Sequence, residues 1–352
     1  TSTKEKIKVL YKYMQDQCRY VSVQIGIGGW QTFPASYVEE NKYGDCKALS
    51  NYMKALLKVA GIESFMVIIS AGDDPEFVDE NFVQPSFNHA ILYVPEEDMF
   101  IECTSKNNPA GYLGDFTDDR LALICGKDGG YLKRTPTYNY TYNTSFNTTD
   151  IFFDHNGNAT VNEKQVIQGM EHDFYRMALN YITETELKDR IVEEYSTPPR
   201  SMDKFEMVVA QDNPTVSINE SFTFNRLASK AGNRLFIPLA PLKNDYEAPE
   251  ASDNRKHPYQ IPYGFTHIDT VIYHFPEKYE IENLSLENTT IDEPFGSFSI
   301  QILKGENELT IVRKLVRKKV TILARSYNRY LEFYKSIKKL DNNKLILVNP
   351  GP

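Results

Sequence analysis

The sequence has few cysteines, a single tryptophan and no long apolar run. Its four cysteines show neither the close spacing of a zinc site nor the density of a disulfide scaffold; they are Cys18, Cys46, Cys103 and Cys125. A stretch of about 20 apolar residues, which a membrane-spanning helix needs, is missing. We therefore expect no metal, no obligatory disulfide and no transmembrane helix in these 352 residues.

Positive charge is also scarce, since the formal net charge is −9. A nucleic-acid partner is therefore not expected, and the one basic run, 313–319, alternates with apolar residues as on the solvated face of a strand. The glycine-rich segment 26–31 fits neither the dinucleotide fingerprint nor the P-loop, so we expect no cofactor. The sequence starts without a signal peptide or an initiator Met, which suggests a fragment or a mature chain.

Length and periodicity suggest more than one domain. Residues 1–137 mix helical and strand patterns, and residues 138–149 lose all periodicity, which favours a linker. Residues 150–352 are expected to be mainly β-structure. A hairpin is predicted around Asn156-Gly157, a helical region at about 171–195 and a terminal helix at 326–340. Alternating runs predict further strands at 205–210, 215–224, 234–239, 268–275, 296–303, 308–314 and 318–325.

The clearest helix pattern covers residues 46–60, with a wide apolar face. Asp45 is a favourable N-cap, and Gly61 stands where a left-handed C-terminal residue is wanted. Cys46 thus begins a capped helix, whose dipole and free N–H groups favour a thiolate over a thiol. A lone cysteine on a buried helix face is more often an inert core residue, so a nucleophilic role for Cys46 requires a partner.

A predicted β-hairpin supplies that partner. Apolar runs at 88–94 and 99–103 flank the turn Pro95-Glu96-Glu97-Asp98. If the turn is centred between its two glutamates, His89 and Glu102 lie on one face, diagonal to each other. A carboxylate there can orient the imidazole and stabilise the imidazolium, as the third member of a catalytic triad does. A slip of one residue would move Glu102 to the other face.

These motifs resemble the transglutaminase-like superfamily. Gly44-Asp45-Cys46-Lys47, opening a helix that ends near Gly61, is similar to the family's nucleophile helix, and Phe87-Asn88-His89-Ala90 resembles its histidine motif. The upstream Arg19-Tyr20-Val21 and glycine-rich turn are typical of bacterial members. The resemblance covers roughly residues 1–135, and the order and spacing of the motifs are more specific than any one of them.

The resemblance implies an α+β fold. Residues 1–137 would form a papain- or transglutaminase-like domain, with the nucleophile helix packed on an antiparallel sheet. After the linker 138–149, residues 150–352 would form a mainly antiparallel β domain of unknown function with one or two helices. Bacterial relatives commonly carry an N-terminal β-rich domain before this core, so such a domain is expected outside the sequence.

The third triad position departs from the family pattern. The family has Asp in an Asp-Pro-Thr context where this sequence has Glu102-Cys103-Thr104. Glu can accept the imidazole N–H, but its extra methylene changes the reach, which leaves an active and a weakened triad both open. The backbone N–H of Cys46 is one natural oxyanion donor, and the side chain of Gln24, Trp30 or Gln31 is a candidate for the second.

Two classes of function remain. In the first, Cys46 attacks an amide or peptide carbonyl, His89 transfers the proton, and water or an amine releases the acyl-enzyme; the resemblance favours hydrolysis of a protein or peptide substrate. In the second, a catalytically weak or inactive module serves as a binding or assembly protein of the cell envelope. A thiol redox enzyme is disfavoured because Cys-x-x-Cys is missing. The resemblance also implies a periplasmic or otherwise exported bacterial protein.

Overall fold

The computed structural model describes residues 2–23, 25–72, 78–82, 84–239, 242, 250 and 255–351, apart from the side chains of residues 179 and 180. The chain divides into two compact units, residues 1–138 with 210–214, and residues 139–209 with 215–352. The fold is α+β, and its sheets are mostly antiparallel.

The first unit alternates helices and short strands. Its helices are α1 (Thr3–Gln17), α2 (Ala35–Asn41), α3 (Cys46–Val59) and α4 (Gly114–Thr117). Its strands are β1 (Arg19–Tyr20), β2 (Tyr43–Gly44), β3 (Phe65–Ile69), β4 (His89–Val94), β5 (Met99–Ile101), β6 (Leu121–Gly126) and β7 (Gly129–Arg134). Short 3-10 turns cover Gly26–Gly29 and Pro95–Glu97.

The five longer strands form one antiparallel sheet in the order β5-β4-β3-β6-β7. Helix α3 packs against β4 and also against α1. The apolar positions of both helices recur at helical spacing and meet in one core; among them are Ile7, Tyr11, Met14, Leu49, Tyr52, Met53 and Leu57. This packing brings the N-terminal end of α3 to the strand that begins at His89.

A short parallel pair, β1 with β2, fixes where the chain enters α3. Val21 N–H donates to the Gly44 carbonyl at 2.9 Å. A Cβ atom at Gly44 would lie 2.8 Å from the Cβ of Ala48, so this position accepts only glycine without a shift of its neighbours. The segment after Tyr20 therefore runs beside the residues that lead directly to Cys46.

The second unit is dominated by strands. Its helices are α5 (His172–Tyr181), α6 (Glu184–Glu193) and α7 (Tyr327–Asp341). Its strands are β8 (Thr144–Phe153), β9 (Ala159–Gln168), β10 (Ser201–Val209), β11 (Thr215–Phe224), β12 (Ser229–Ala231), β13 (Arg234–Pro238), β14 (Tyr259–Ile261), β15 (Phe265–His274), β16 (Glu280–Leu284), β17 (Thr289–Glu293), β18 (Gly296–Lys304), β19 (Glu308–Arg317), β20 (Val320–Ile322) and β21 (Lys344–Val348).

Eight of these strands form one sheet in the order β10-β11-β9-β8-β15-β19-β18-β17. All neighbours are antiparallel except β8 and β15, which run parallel. A four-stranded sheet, β12-β13-β21-β16, and the pair β14-β20 complete the unit. Helix α7 contributes Tyr330, Phe333 and Ile337 to the shared apolar core.

Three features of the second unit differ from the sequence predictions. The helical region 171–195 is two helices, because Thr183 caps α6 through a capping box with Glu186. The unit thus has three described helices rather than one or two. Strand β8 begins at Thr144, inside the segment 138–149 for which a linker was predicted. The small polar side chains of this segment alternate between buried and more exposed positions, as they do in a strand. Strand β21, after the terminal helix, was not predicted.

The helices in the described ranges are all too short or too polar to cross a membrane.

Candidate active site

Cys46 is the first residue of α3, and its side chain is 5% exposed. Asp45 caps the helix, because its Oδ1 atom accepts the N–H of Ala48 at 2.9 Å. The Lys47 ammonium group pairs with the other oxygen of Asp45. Sulfur at the N-terminus of a capped helix lies in the favourable end of the helix dipole, which stabilises a thiolate.

The hairpin that carries His89 has the register that the sequence predicts. Leu92 pairs with Ile101 and Val94 with Met99. Strand β5 ends at Ile101, so Glu102 follows immediately after it. His89 is the first residue of β4. It pairs with Ile69 of β3, which lies on the side of β4 away from β5. The register brings Glu102 back beside the imidazole.

His89 and Glu102 share a hydrogen bond of 2.8 Å between Nε2 and Oε2. Both side chains are buried, with 8% of His89 and 3% of Glu102 exposed. The second carboxylate oxygen, Oε1, accepts the N–H of Thr104 at 2.9 Å and its hydroxyl at 2.6 Å. Both oxygens of Glu102 are therefore satisfied, as a buried carboxylate requires.

The His89 imidazole also interacts with the Cys46 thiol, and this interaction lowers the pKa of Cys46 and raises that of His89. Because Nε2 is engaged by Glu102, Nδ1 is the ring nitrogen left for the sulfur. The backbone N–H of Ala90 is a further influence that lowers the pKa of Cys46. The structure thus brings Cys46, His89 and Glu102 together, with a hydrogen bond between His89 and Glu102.

The charged forms of Cys46, His89 and Glu102 stabilise one another. Burial disfavours a thiolate at Cys46, but the hydrogen bond and charge of His89, with the Ala90 N–H and the Lys47 charge, hold its pKa below the ordinary value. Burial disfavours the imidazolium as well, yet the charge of Glu102 and the contact with Cys46 raise the pKa of His89 to about 10. At Glu102, burial is outweighed by His89 and Thr104, which lower its pKa. These influences therefore shift the balance towards thiolate, imidazolium and carboxylate.

Helix α1 holds the loop that carries Glu102. The Tyr11 hydroxyl donates to the Glu102 carbonyl at 2.6 Å. The Gln15 amide donates to the carbonyls of Ser105 and Asn108, each at 2.9 Å. These three bonds hold the backbone of Glu102 and of the loop that follows it.

Phe116 of α4 lies edge-on to the imidazole. The centroids of the Phe116 and His89 rings are 5.2 Å apart, with an interplanar angle of 72°. Arg120 anchors this segment, since its guanidinium donates to the carbonyls of Ser70, Gly72 and Asp115 over 2.8–3.0 Å. The Phe116 ring is 44% exposed, so it forms an apolar wall between the imidazole and solvent.

The oxyanion candidates suggested by the sequence follow β1 along the chain. Gln31 is exposed, and its backbone N–H donates to the Ile27 carbonyl at 2.9 Å. Trp30 is 87% exposed. Gln24 lies outside the described residues. An oxyanion role for any of these side chains stays a prediction.

Sequence reasoning overlooked three contributors to the site, Ser50, Ala90 and Phe116. Ser50 follows Cys46 by one helical turn, and that spacing alone could have placed it on the same face. Ala90 acts through its backbone, which its residue type does not reveal. Phe116 is brought to His89 by the chain fold alone. Cys103 and Cys18 are buried in the core of the first unit, as predicted.

Comparisons with solved structures and with protein-family models both find similarities. The fold resembles a solved structure described as a putative protease from Parabacteroides distasonis, with a TM-score of 0.55 and 12% sequence identity. The similarity covers 99% of this chain and 52% of that one, so the chain spans about half of that protein's length. The family model for a domain of unknown function with a solved structure, DUF3858, matches residues 233–347 in the second unit. A search of curated protein sequences finds no match.

Proposed function

We propose that this protein is a cysteine-dependent hydrolase or acyl transferase that acts on amide or peptide bonds through Cys46, His89 and Glu102. The observation that carries the proposal is the grouping of the sulfur, the imidazole and the carboxylate, in which a hydrogen bond joins the imidazole to the carboxylate. A buried thiol at a capped helix N-terminus, in contact with an imidazole held by a carboxylate, is the arrangement that thiol acyl chemistry needs.

In the acylation step, the Cys46 thiolate forms a bond to the carbonyl carbon, and the π-electron pair moves to the carbonyl oxygen. The tetrahedral intermediate collapses when that pair returns and the C–N bond breaks. The leaving amine takes a proton from Nδ1 of His89, and a thioester remains on Cys46. Glu102 keeps the imidazole oriented and stabilises its positive charge before the transfer.

In the second step, neutral His89 takes a proton from the acyl acceptor, which attacks the thioester and expels the thiolate. The acceptor is water in a peptidase or amidase and an amine in a cross-linking enzyme. We favour water, an assignment supported by the protease description of the structural neighbour and by the resemblance to bacterial transglutaminase-like proteins. The same resemblance supports a protein or peptide substrate and an exported, periplasmic location.

The test is the pH dependence of Cys46 alkylation by iodoacetamide in the wild type and in His89→Ala, followed by peptide mass spectrometry. Peptide resolution is needed because Cys125 is exposed and reacts independently. We expect an apparent Cys46 pKa well below the reference of about 8.5, and its return towards that value in His89→Ala. Cys125 supplies the internal control, since its labelling should be equal in both proteins.

Slow labelling of Cys46 that is indifferent to His89 would contradict the enzymatic proposal. That result would favour the alternative, a catalytically weak transglutaminase-like module that serves in binding or assembly at the cell envelope. The Glu at the third position motivates this alternative, but its two satisfied oxygens and its bond to His89 favour a working triad.

A further inference from the structure

Ser50 connects α3 to the strand that carries His89. Its side chain is fully buried, and its hydroxyl donates to the Ala90 carbonyl at 3.1 Å. The backbone N–H of the same residue, Ala90, is among the groups that lower the pKa of the Cys46 thiol. The polar backbone groups of Ala90 therefore face α3, where Cys46 and Ser50 lie one turn apart.

This arrangement follows from the unequal lengths of the strands beside β4. On one edge, β3 pairs with the strand as far as His89. On the other edge, β5 reaches only Leu92, which pairs with Ile101. In an antiparallel sheet the N–H and C=O groups of one residue point to the same edge, and residues two apart share it. Ala90 thus lies beyond the end of β5, and Ser50 of α3 supplies the partner of its carbonyl.

We propose that the Ala90 N–H is a catalytic donor to the Cys46 thiolate and that Ser50 is the positioning residue that holds it there. This inference rests on the proposed function, because it assigns the stabilisation of the nucleophile. A hydrogen bond to the charged form of a group lowers its pKa, and a backbone N–H provides that bond without adding a titrating group. Ser50 prevents the strand end at Ala90 from moving away from the sulfur.

Ser50 also contacts the sulfur of Cys103. A hydroxyl has one hydrogen to donate, and a carbonyl is a stronger acceptor than a thiol sulfur. The Cys103 thiol has its own acceptor, the Ile101 carbonyl at 3.7 Å. The Ser50 hydrogen therefore belongs to Ala90, and removing the Cys103 sulfur should leave that bond intact.

The experiment compares Ser50→Ala with Cys103→Ala in the full chain, using the pH dependence of Cys46 alkylation by iodoacetamide. We expect Ser50→Ala to raise the apparent Cys46 pKa by about 0.5–1 unit. Cys103→Ala, which empties space on the other side of Ser50, should leave that pKa unchanged. Thermal unfolding of both variants separates a local effect from a general loss of structure.

A second measurement uses the wild type alone. The Ala90 amide proton, followed by NMR on ¹⁵N-labelled protein, should shift downfield as Cys46 ionises. An Ala90 amide that is insensitive to Cys46 ionisation, or an unchanged Cys46 pKa in folded Ser50→Ala, would overturn the inference. If the proposed function itself is wrong, the result differs: the Cys46 pKa of the wild type is ordinary, and His89→Ala does not change it. The shift between wild type and Ser50→Ala is measurable in either case.

Discussion

The Nε2 atom of His89 and the Oε2 atom of Glu102 lie 2.8 Å apart, although the two residues belong to opposite arms of a hairpin. The other oxygen of Glu102 is held by the backbone and hydroxyl of Thr104. A carboxylate fixed at both oxygens cannot rotate away from the imidazole. The Glu102 side chain therefore holds the imidazole from a fixed position.

Changing the charge of Glu102 should weaken the nucleophile. In Glu102→Gln the side chain keeps its size but cannot stabilise the imidazolium, so the His89 pKa should fall and the Cys46 pKa should rise. We expect iodoacetamide labelling of Cys46 at pH 7 to slow by about tenfold or more, since one pKa unit corresponds to a factor of ten. Peptide mass spectrometry measures the rate, with Cys125 as the reference.

Glu102→Asp is the matched control for this change, because it keeps the charge and shortens the side chain. The loop is fixed by Tyr11 and Gln15, so the shorter acid cannot reach both His89 and Thr104. Its labelling rate should lie between those of wild type and Glu102→Gln. Equal rates in all three proteins would show that Glu102 does not govern the thiolate.

The same pair makes the stability of the first unit depend on pH. The folded-state pKa of Glu102 is lowered, so its stabilising contribution is complete above its unfolded value of about 4.3 and is lost as the pH falls through the folded pKa. The folded-state pKa of His89 is raised to about 10, so its contribution is complete below about 6.5 and is lost as the pH rises through 10. Both contributions are present together between about pH 4.3 and 6.5.

We therefore expect the difference in unfolding free energy between wild type and Glu102→Gln to be largest in that window. Removing one partner of a buried ion pair costs on the order of 3–5 kcal/mol. Urea denaturation at several pH values measures the difference, which should shrink in acid and again near pH 10. A difference that does not change with pH would mean that the pair is neutral in the folded protein.

The sequence was most informative where local rules act over short distances. The cap at Asp45, the left-handed Gly61 and the hairpin register around Glu96 and Glu97 depend on a few neighbouring residues, and each is found in the structure. The register was decisive, because it places Glu102 beside His89 without any knowledge of the rest of the fold.

Contacts that depend on distant segments could not be read in this way. Phe116 reaches His89 only because Arg120 ties its segment to the turn at Ser70, and nothing in the local pattern records that bond. Strand β8 was missed at its start because Ser145 and Thr149 are buried by pairing with β9 and β15 rather than by apolar character. Small polar residues of this kind carry no hydrophobic period.

Removing the Phe116 ring should expose the imidazole to water. In Phe116→Ala, solvent screens the attraction between imidazolium and thiolate, so the apparent Cys46 pKa should rise by about 0.5 unit. Phe116→Leu keeps an apolar cover and should retain most of the wild-type value. The pH profile of alkylation measures both, and an equal shift in the two variants would argue that ring geometry rather than solvent exclusion matters.

The oxyanion donor can be identified by comparing two reactions of Cys46. Acylation by p-nitrophenyl acetate passes through a tetrahedral oxyanion, whereas alkylation by iodoacetamide does not. Loss of a true oxyanion donor should slow acylation by about 100–1,000-fold and leave alkylation unchanged. We expect this split in Gln24→Ala or in Gln31→Ala, the two glutamines that the sequence suggests as donors.

A variant that slows both reactions equally would have disturbed the thiolate itself, which stopped-flow alkylation at several pH values would reveal. If neither variant produces the split, neither glutamine is the second donor. The Cys46 N–H and the Trp30 indole would then be the donors proposed from the sequence that remain, and Trp30 would need the same test. Burst kinetics of p-nitrophenolate release provide the acylation rate directly, because the first turnover reports the attack of Cys46 before the thioester is hydrolysed.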